Sequence, residues 1–585
     1  MVRAADVLVK TMESKGVDVI FGIPGGSILP FYDALYDSNI RTILMRHEQQ
    51  AAHAAEGYAR VKGRPGVAVA TSGPGATNLV TGIVNAMMDS QPVIAITGQV
   101  TRDSLGTDAF QETDITGILL PVTKYAITVK DPSKLAQAFI DSYYVAITGR
   151  PGPVLIDVPR DVLQADVEPS WKDEPSLMKY ALDSIAWQTQ EPNPELVSKA
   201  AEILMNAEKP VIIAGGGVII SNATNELIKL AEYLMAPVVV TTLGIGSMPS
   251  DHPLMLGVIG MHGRIEANLA VIESDVVLAV GMRFADRSVG RFDELQKGRK
   301  IIHIDIDASE LGKNVVPTVS IVGDAKRALS ELYACIASRI ARKETRPFIQ
   351  RLKAIGERFE EFMNNHGEPN RITSWRALKV IREELPRNAI VTTGVGQHQM
   401  WVQLCFKVFE PRTLLTSCGL GTMGFGLPAA VGAKVAAPDR TVACIDGDGS
   451  FVMTCQSLIP MAQYDIPVIC IIFNNKVLGM IRQWQDLFYQ KRYKDECLEI
   501  YLKRRASRNV DYVKLAESMG VEGAVAESLD DLRMLLRRAI RSGQALVIDL
   551  PIDREERVLP MVPPGKWLNQ MMMPLGFDLH ARIRV

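Results

Sequence analysis

The chain has 585 residues, 47% apolar and 22% charged, the balance of an ordinary globular protein, and at about 100–200 residues per domain that length implies three to five domains. Lys+Arg number 64 and Asp+Glu 66, a formal charge of −2, so a basic footprint for nucleic acid or for an anionic membrane is missing. The seven cysteines all lie beyond residue 330 and form no CxxC, which argues against a disulfide framework or a structural zinc site and fits a reducing, cytoplasmic setting.

The N-terminal MVRAADVLVKTMESKGV reads as an amphipathic helix carrying Asp6 and Glu13, without the apolar core of a signal peptide. Strand-like VDVIFGIPGG, RTILMRH, GVAVATSGPG, PVIAITGQ and PVLIDVPRD follow, each leading into helix-compatible sequence and together making a first unit, 1–167. The polar stretch 168–193 is expected to be a linker. A second unit, 194–340, holds KPVIIAGGG, APVVVTTLGIGS, DVVLAVGMRF, KIIHIDID and VSIVGDA. Residues 341–368 are charged and helical and read as a second linker. The third unit, 369–555, holds AIVTTGVGQHQ, RTVACIDGDGS, PVICIIFNN and QALVIDLPID, with 556–585 as a tail. The densest apolar run, Ile466 to Phe473, is far short of the ~18 residues of a membrane span. Strands alternating with helical patterns are the mark of parallel sheets. The expected fold is therefore α/β, with three doubly wound parallel-sheet domains.

The third unit carries the most informative chemistry. Strand VACID ends in Gly447-Asp448-Gly449-Ser450, and a helix follows. Glycines at a strand-to-helix turn let backbone N–H groups approach an anion, and the helix N-terminus adds favourable partial charge. The next strand ends in Asn474-Asn475, placing Asn475 twenty-seven positions after Asp448. Neighbouring parallel strands end on one edge, where open α/β sheets bind ligands. Asp448 and Asn475 there supply two hard oxygens, few enough for Mg²⁺ to share its shell with phosphates. Two ordinary turns would give the same letters, since DG and NN are common turn pairs.

GDGS followed at this spacing by NN resembles the motif of the thiamine diphosphate enzymes, the family of pyruvate decarboxylase, pyruvate oxidase and acetolactate synthase. The resemblance implies Mg²⁺ held by Asp448, Asn475 and the carbonyl of Val477. It implies diphosphate contacts at Val395, Gly396, Gln397 and His398 in GVGQHQMW, and at Gly447, Gly449 and Ser450. Gly479 and Met480 in NNKVLGM, and Met423 in GLGTMGFG, match further cofactor positions, Met423 as an apolar wedge. Taken alone, Glu48 after RTILMRH is a favourable acid in a first helical turn. In HEQ…AAEGYAR it matches the family's cofactor-activating glutamate, which shares a proton with the aminopyrimidine ring. That family draws the glutamate from one subunit and the diphosphate site from its partner, so a homodimer or a dimer of dimers with active sites at the subunit interface is implied.

FGIPGGSILPFYDAL, TSGPGATNLVTG, GTDAFQETDITG, GRPGPVLIDVPRDV and MIRQWQDLFY are most similar to acetohydroxyacid (acetolactate) synthase catalytic subunits, over nearly the whole chain. This implies Phe110 and catalytic Gln111 on the substrate side, Arg160 near the substrate channel and Trp484 in the acceptor pocket. It implies FAD at Arg150, Gly215, Gly216, Gly217, Thr242, Leu243, Gly260, Met261, His262, Gly281, Arg283, Arg287, Asp305, Asp324 and Ala325 in a Rossmann-like central domain. Three departures stand out: Ala285 in RFADR, where RFDDR is usual; Thr101, where a proline is common; and about nine extra residues between Tyr493 and Asp511, including KRRASR. The implied activity is decarboxylation of pyruvate and ligation of its two-carbon unit to pyruvate or 2-ketobutyrate, with a separate regulatory subunit possible. Rivals are glyoxylate carboligase, disfavoured by Glu48, pyruvate oxidase, and a non-catalytic cofactor-binding scaffold.

Overall fold

A computed structural model describes residues 1–168, 191–344, 346–367, 371–500 and 509–579. Most of the stretch expected as the first linker, and the KRRASR run, lie outside the described residues.

Among the described residues are three six-stranded sheets, in which every strand pair is parallel, and a two-stranded antiparallel pair, Val2–Arg3 with Asp166–Val167. In the first sheet the strands are Val19–Gly22, Arg41–Leu44, Gly66–Ala70, Val93–Gln99, Tyr125–Thr128 and Val154–Pro159. Numbered in chain order they stand side by side as 2-1-3-4-6-5. The third sheet, Ile390–Thr393, Leu414–Thr416, Val442–Gly447, Ile469–Asn474, Glu522–Val525 and Leu546–Pro551, repeats that order. The central sheet differs. Its strands, Pro210–Ala214, Val238–Val240, Met255–Val258, Val276–Val280, Lys300–Asp305 and Val319–Val322, stand as 3-2-1-4-5-6, the dinucleotide-fold order. Inner strands such as Pro210–Ala214, Val276–Val280 and Ile469–Asn474 are buried at every residue. Continuous Val/Ile runs are what a sheet covered on both faces requires.

The outer two units touch directly. Helix Glu48–Lys62, capped by the His47 side chain and ended by left-handed Gly63, lies against helix Gly426–Ala436. Small residues permit the approach: a Cβ added at Gly432 would stand 1.9 Å from the carbonyl oxygen of Ala54, and one at Gly57 2.2 Å from that of Ala429. Buried Arg60 reinforces the seam by pairing with Glu56 and Asp89 and donating to the carbonyl of Thr416. Asp89 in turn accepts from the backbone N–H groups of Cys418 and Gly419.

Helix Pro347–Asn365, in the stretch read as the second linker, buries Ile349, Leu352, Ile355, Phe359 and Met363. The tail folds back over the central unit, whose core takes in Val562, Trp567 and Leu568. Among the described residues no helix is long and apolar enough to cross a membrane.

Candidate active site

The centre of the third sheet aims three helix N-termini at one corner. Strands Ile390–Thr393, Val442–Gly447 and Ile469–Asn474 are neighbours, and helices Gln397–Cys405, Asp448–Val452 and Gly479–Phe488 begin just beyond their C-terminal ends. Converging N–H groups and helix dipoles favour an anion there. Close contacts confirm the convergence. A Cβ added at Gly447 would lie 2.8 Å from His398 Nδ1, and one at Gly479 2.1 Å from Gln397 Oε1. Met423 reaches the same corner, its Cε 3.7 Å from where a Gly449 Cβ would stand. Ser450 Oγ accepts from the Gly424 N–H, holding the Met423 loop in place.

Asp448 and Asn475 meet over a single turn. Asp448 Oδ2 accepts from the Lys476 N–H at 2.7 Å, and Asn475 Oδ1 accepts from the Val477 N–H at 3.0 Å. Lys476 takes the left-handed conformation, φ +64°, which folds the turn back toward Asp448. Burial pushes the Asp448 carboxyl up to about 7, and its neighbour Asp446, wholly buried beneath the corner, to about 7 as well. An opposite charge beside such a carboxylate would favour its ionised form again. The donor set of one carboxylate, one amide oxygen and one carbonyl fits Mg²⁺ sharing its shell with phosphate oxygens. His398, pushed down to about 4 by burial, is neutral, and its Nε2 has no hydrogen-bond partner.

In the first unit, Glu48 opens its helix in a buried position, and its Oε2 accepts from Asn78 Nδ2 at 2.9 Å. Oε1 faces Gly75, 3.3 Å from where a Cβ there would stand. Gln111, at φ +63°, packs on Gly73 of the same loop. Glu48 and Gln111 thus border the same loop, Glu48 at Gly75 and Gln111 at Gly73. Phe110 is 89% exposed and Arg160 is exposed, neither drawn into the Asp448 corner. Trp484 stacks edge-on to Phe488, with its indole N–H unpartnered.

The central sheet borders a second cleft of about 260 Å³, near the lower end for small-molecule sites. Arg150, Gly216, Gly217, Leu243, Gly281, Arg283, Asp305, Asp324 and Ala325 line it, together with Asp89, Glu310 and Cys418. Arg150 pairs with Glu310 at 2.7 Å and Asp307 at 3.3 Å, joining the first unit to the central one. Burial raises Asp305 to about 6. Gly215 lies beneath, against the Gly281 carbonyl. Thr242 donates instead to Gln403 Oε1. Gly260, Met261 and His262 sit behind the cleft wall, where the Met261 N–H bonds the Arg287 carbonyl and the Met261 carbonyl accepts from Val562. The Arg287 side chain is exposed and pairs with Asp286. Ala285 lines the cleft with a methyl group only.

Asn78, Gln483 and Glu310 escaped the sequence reading. Each acts by holding another site residue, and isolated amides or acids on helices carry no motif.

Family models for thiamine pyrophosphate (diphosphate) enzymes match the chain in three places. The N-terminal cofactor-binding domain covers residues 2–118, the central domain 197–332 and the C-terminal cofactor-binding domain 394–550. The chain is 47% identical over 580 residues to a probable acetolactate synthase large subunit of Methanocaldococcus jannaschii, covering 98% of this chain and 96% of that one. It is 42% identical over 576 residues to the acetolactate synthase large subunit of Corynebacterium glutamicum, covering 98% and 90%. An acetolactate synthase of Arthrospira platensis is 42% identical over 591 residues, 98% of each chain.

Proposed function

Because the chain belongs to the thiamine pyrophosphate enzymes, at 40–47% identity to their acetolactate synthase members, we propose that it is the catalytic chain of an acetolactate synthase. It decarboxylates pyruvate and ligates the two-carbon unit to a second 2-keto acid, pyruvate or 2-ketobutyrate. This is a step of branched-chain amino-acid biosynthesis. The observation that carries the reading is the meeting of Asp448 and Asn475 over one turn among three helix N-termini.

Asp448, Asn475 and the Val477 carbonyl would hold Mg²⁺, and the N–H groups opening at Gln397, Asp448 and Gly479 would hold the diphosphate. Bound thiamine diphosphate supplies the carbon nucleophile and the electron sink. Glu48 exchanges a proton through Oε1, the oxygen that Asn78 leaves open. Asn78 keeps that carboxyl in one orientation, so the proton moves along a fixed line. The side-chain hydrogen bonds of Glu48 and of Asp448 lie in different units, which suits an active site completed by a second copy of the chain. Phe110 and Arg160, exposed here, would then face substrate across that interface, with Trp484 beside the acceptor. The cleft between Arg150 and Asp305 is assigned to FAD, a structural passenger because carboligation has no net redox change. The large-subunit naming of the relatives supports a separate regulatory subunit.

Purified protein given pyruvate, Mg²⁺ and thiamine diphosphate should form acetolactate without consuming O₂. Peroxide formed in step with pyruvate loss would instead mark an oxidase.

A further inference from the structure

A carboxamide presents an oxygen on one side and an NH₂ on the other, nearly the same size, and only its neighbours decide which faces where. At Asn475 that choice matters, since the oxygen can ligand a hard cation and the NH₂ cannot. We propose that Gln483 is a positioning residue for this corner: it carries the polarity of the tail backbone at Val558 through Gln397 to Asn475, and together with the Val477 N–H on Asn475 Oδ1 holds that oxygen toward the Asp448 side. The proposal rests on the reading of that corner as a cation and diphosphate site.

The relay begins on a backbone pair whose polarity cannot change. The Val558 N–H donates to Gln483 Oε1 at 2.9 Å, and Gln483 Nε2 donates to the Val558 carbonyl at 3.2 Å. Only one orientation of the Gln483 amide satisfies both. Its Oε1 then also accepts from Gln397 Nε2 at 2.9 Å, and the same NH₂ donates to the Glu556 carbonyl at 3.1 Å. The Gln397 oxygen is thereby turned to Asn475, whose Nδ2 donates to it at 3.3 Å. Asn475 Oδ1 is left facing the other way, on the turn that also bonds Asp448. Gly479 is shaped to this arrangement, because a Cβ there would stand 2.1 Å from Gln397 Oε1 and 2.7 Å from Asn475 Nδ2. Gln483 is buried at 3% exposure, so bulk water cannot replace a bond the relay loses. The tail is thus coupled to the cation corner through side chains that touch no substrate.

The test is the Mg²⁺ requirement for thiamine diphosphate uptake, measured by titration calorimetry, with thermal unfolding of cation-free protein as a second readout. Gln483→Met should raise the Mg²⁺ needed by roughly 10–100-fold, the usual cost of losing an outer-shell partner. In an Asn475→Asp background the same change should cost little or improve binding. Both side-chain termini at 475 are then oxygens, and a released Gln397 can turn its NH₂ toward them. Residues that merely pack would give additive losses in the two backgrounds, and that result overturns the relay. An unchanged Mg²⁺ requirement in Gln483→Met also overturns it. If Gln483→Met fails to fold, Gln483→Leu carries the test with the same expected rise, and a folded Leu variant with the wild-type Mg²⁺ requirement overturns the proposal. Wild-type protein that takes up no cofactor with Mg²⁺ overturns the site reading and the relay together, whereas normal wild-type uptake with insensitive Gln483 variants overturns the relay alone.

Discussion

The first and third sheets share the strand order 2-1-3-4-6-5, yet their C-terminal edges do opposite things. In the third unit the edge gathers Gly447, Asp448, Gly449 and Asn475 beneath helix N-termini, where the diphosphate and its cation are proposed to sit. In the first, the corresponding region gathers Glu48, Asn78 and Gln111 around the Gly73–Gly75 loop, where the proton exchange by Glu48 is proposed. The same scaffold serves both because a parallel sheet fixes only where the edge lies, and the loops decide its chemistry. The central sheet, in the order 3-2-1-4-5-6, supplies neither and borders the Arg150–Asp305 cleft instead.

The largest expected effect removes the third unit's half of this division. Asp448→Ala should abolish Mg²⁺-dependent retention of thiamine diphosphate, a loss beyond the roughly 100-fold that an outer-shell change costs. The cation-free fold should survive, because the carboxyl it removes is one that burial already disfavours. Equilibrium dialysis checks the first point and circular dichroism the second; retention at wild-type level would make the corner purely structural.

Glu48→Gln should separate the two edges. Cofactor binding should be kept, while turnover falls by roughly 10²–10⁴-fold, the span of general acid–base contributions. Hydrogen–deuterium exchange at the thiazolium C2 of the bound cofactor reports this directly. An exchange rate equal to wild type would remove Glu48 from the chemistry.

Gly432→Ala tests the seam that joins the twin units. The added methyl meets the Ala54 carbonyl at 1.9 Å, and overpacking of this kind costs about 1–3 kcal/mol. Thermal unfolding should show a lower midpoint, and an unchanged midpoint would mean that the two helices part without cost.

The smallest effect is a pH dependence confined to the first sheet. Asp157, buried and holding Thr97, Gln99 and Thr128, is raised to about 6 by burial. Its folded value exceeds the unfolded one, so its contribution is full below about pH 4 and is lost as pH rises through about 6. Asp157→Asn should flatten the stability profile across that window; an equally sloped profile would assign the slope to other groups.

The sequence marked fourteen strands of the three six-stranded sheets, and the four it missed there share one property: Tyr125–Thr128, Met255–Val258, Leu414–Thr416 and Glu522–Val525 are all edge strands. None of the residues in Tyr125–Thr128 is fully buried, and Glu522–Val525 has exposed ends around a half-buried middle. An edge strand is covered on fewer sides than an inner one, so Tyr125–Thr128 and Glu522–Val525 lack the continuous apolar run that announces a strand. Of the residues expected to bind flavin, Arg150, Gly216, Gly217, Leu243, Gly281, Arg283, Asp305, Asp324 and Ala325 line the cleft, whereas Gly215, Thr242, Gly260, Met261, His262 and Arg287 do not.

What the sequence determined by itself was the chemistry whose letters lie close together: GDGS with Asn475, the small-residue helix after Glu48, and the glycine-rich strand ends. Those signals are local, because backbone sterics and helix dipoles act over a few residues. Tertiary structure alone decided which elements face one another. It set the shared strand order of the outer units, the seam of Gly57 and Gly432, and the amide chain from Val558 through Gln483 and Gln397 to Asn475. Such contacts join residues far apart in the chain, and each depends on how whole sheets and helices pack, which no single stretch of sequence encodes.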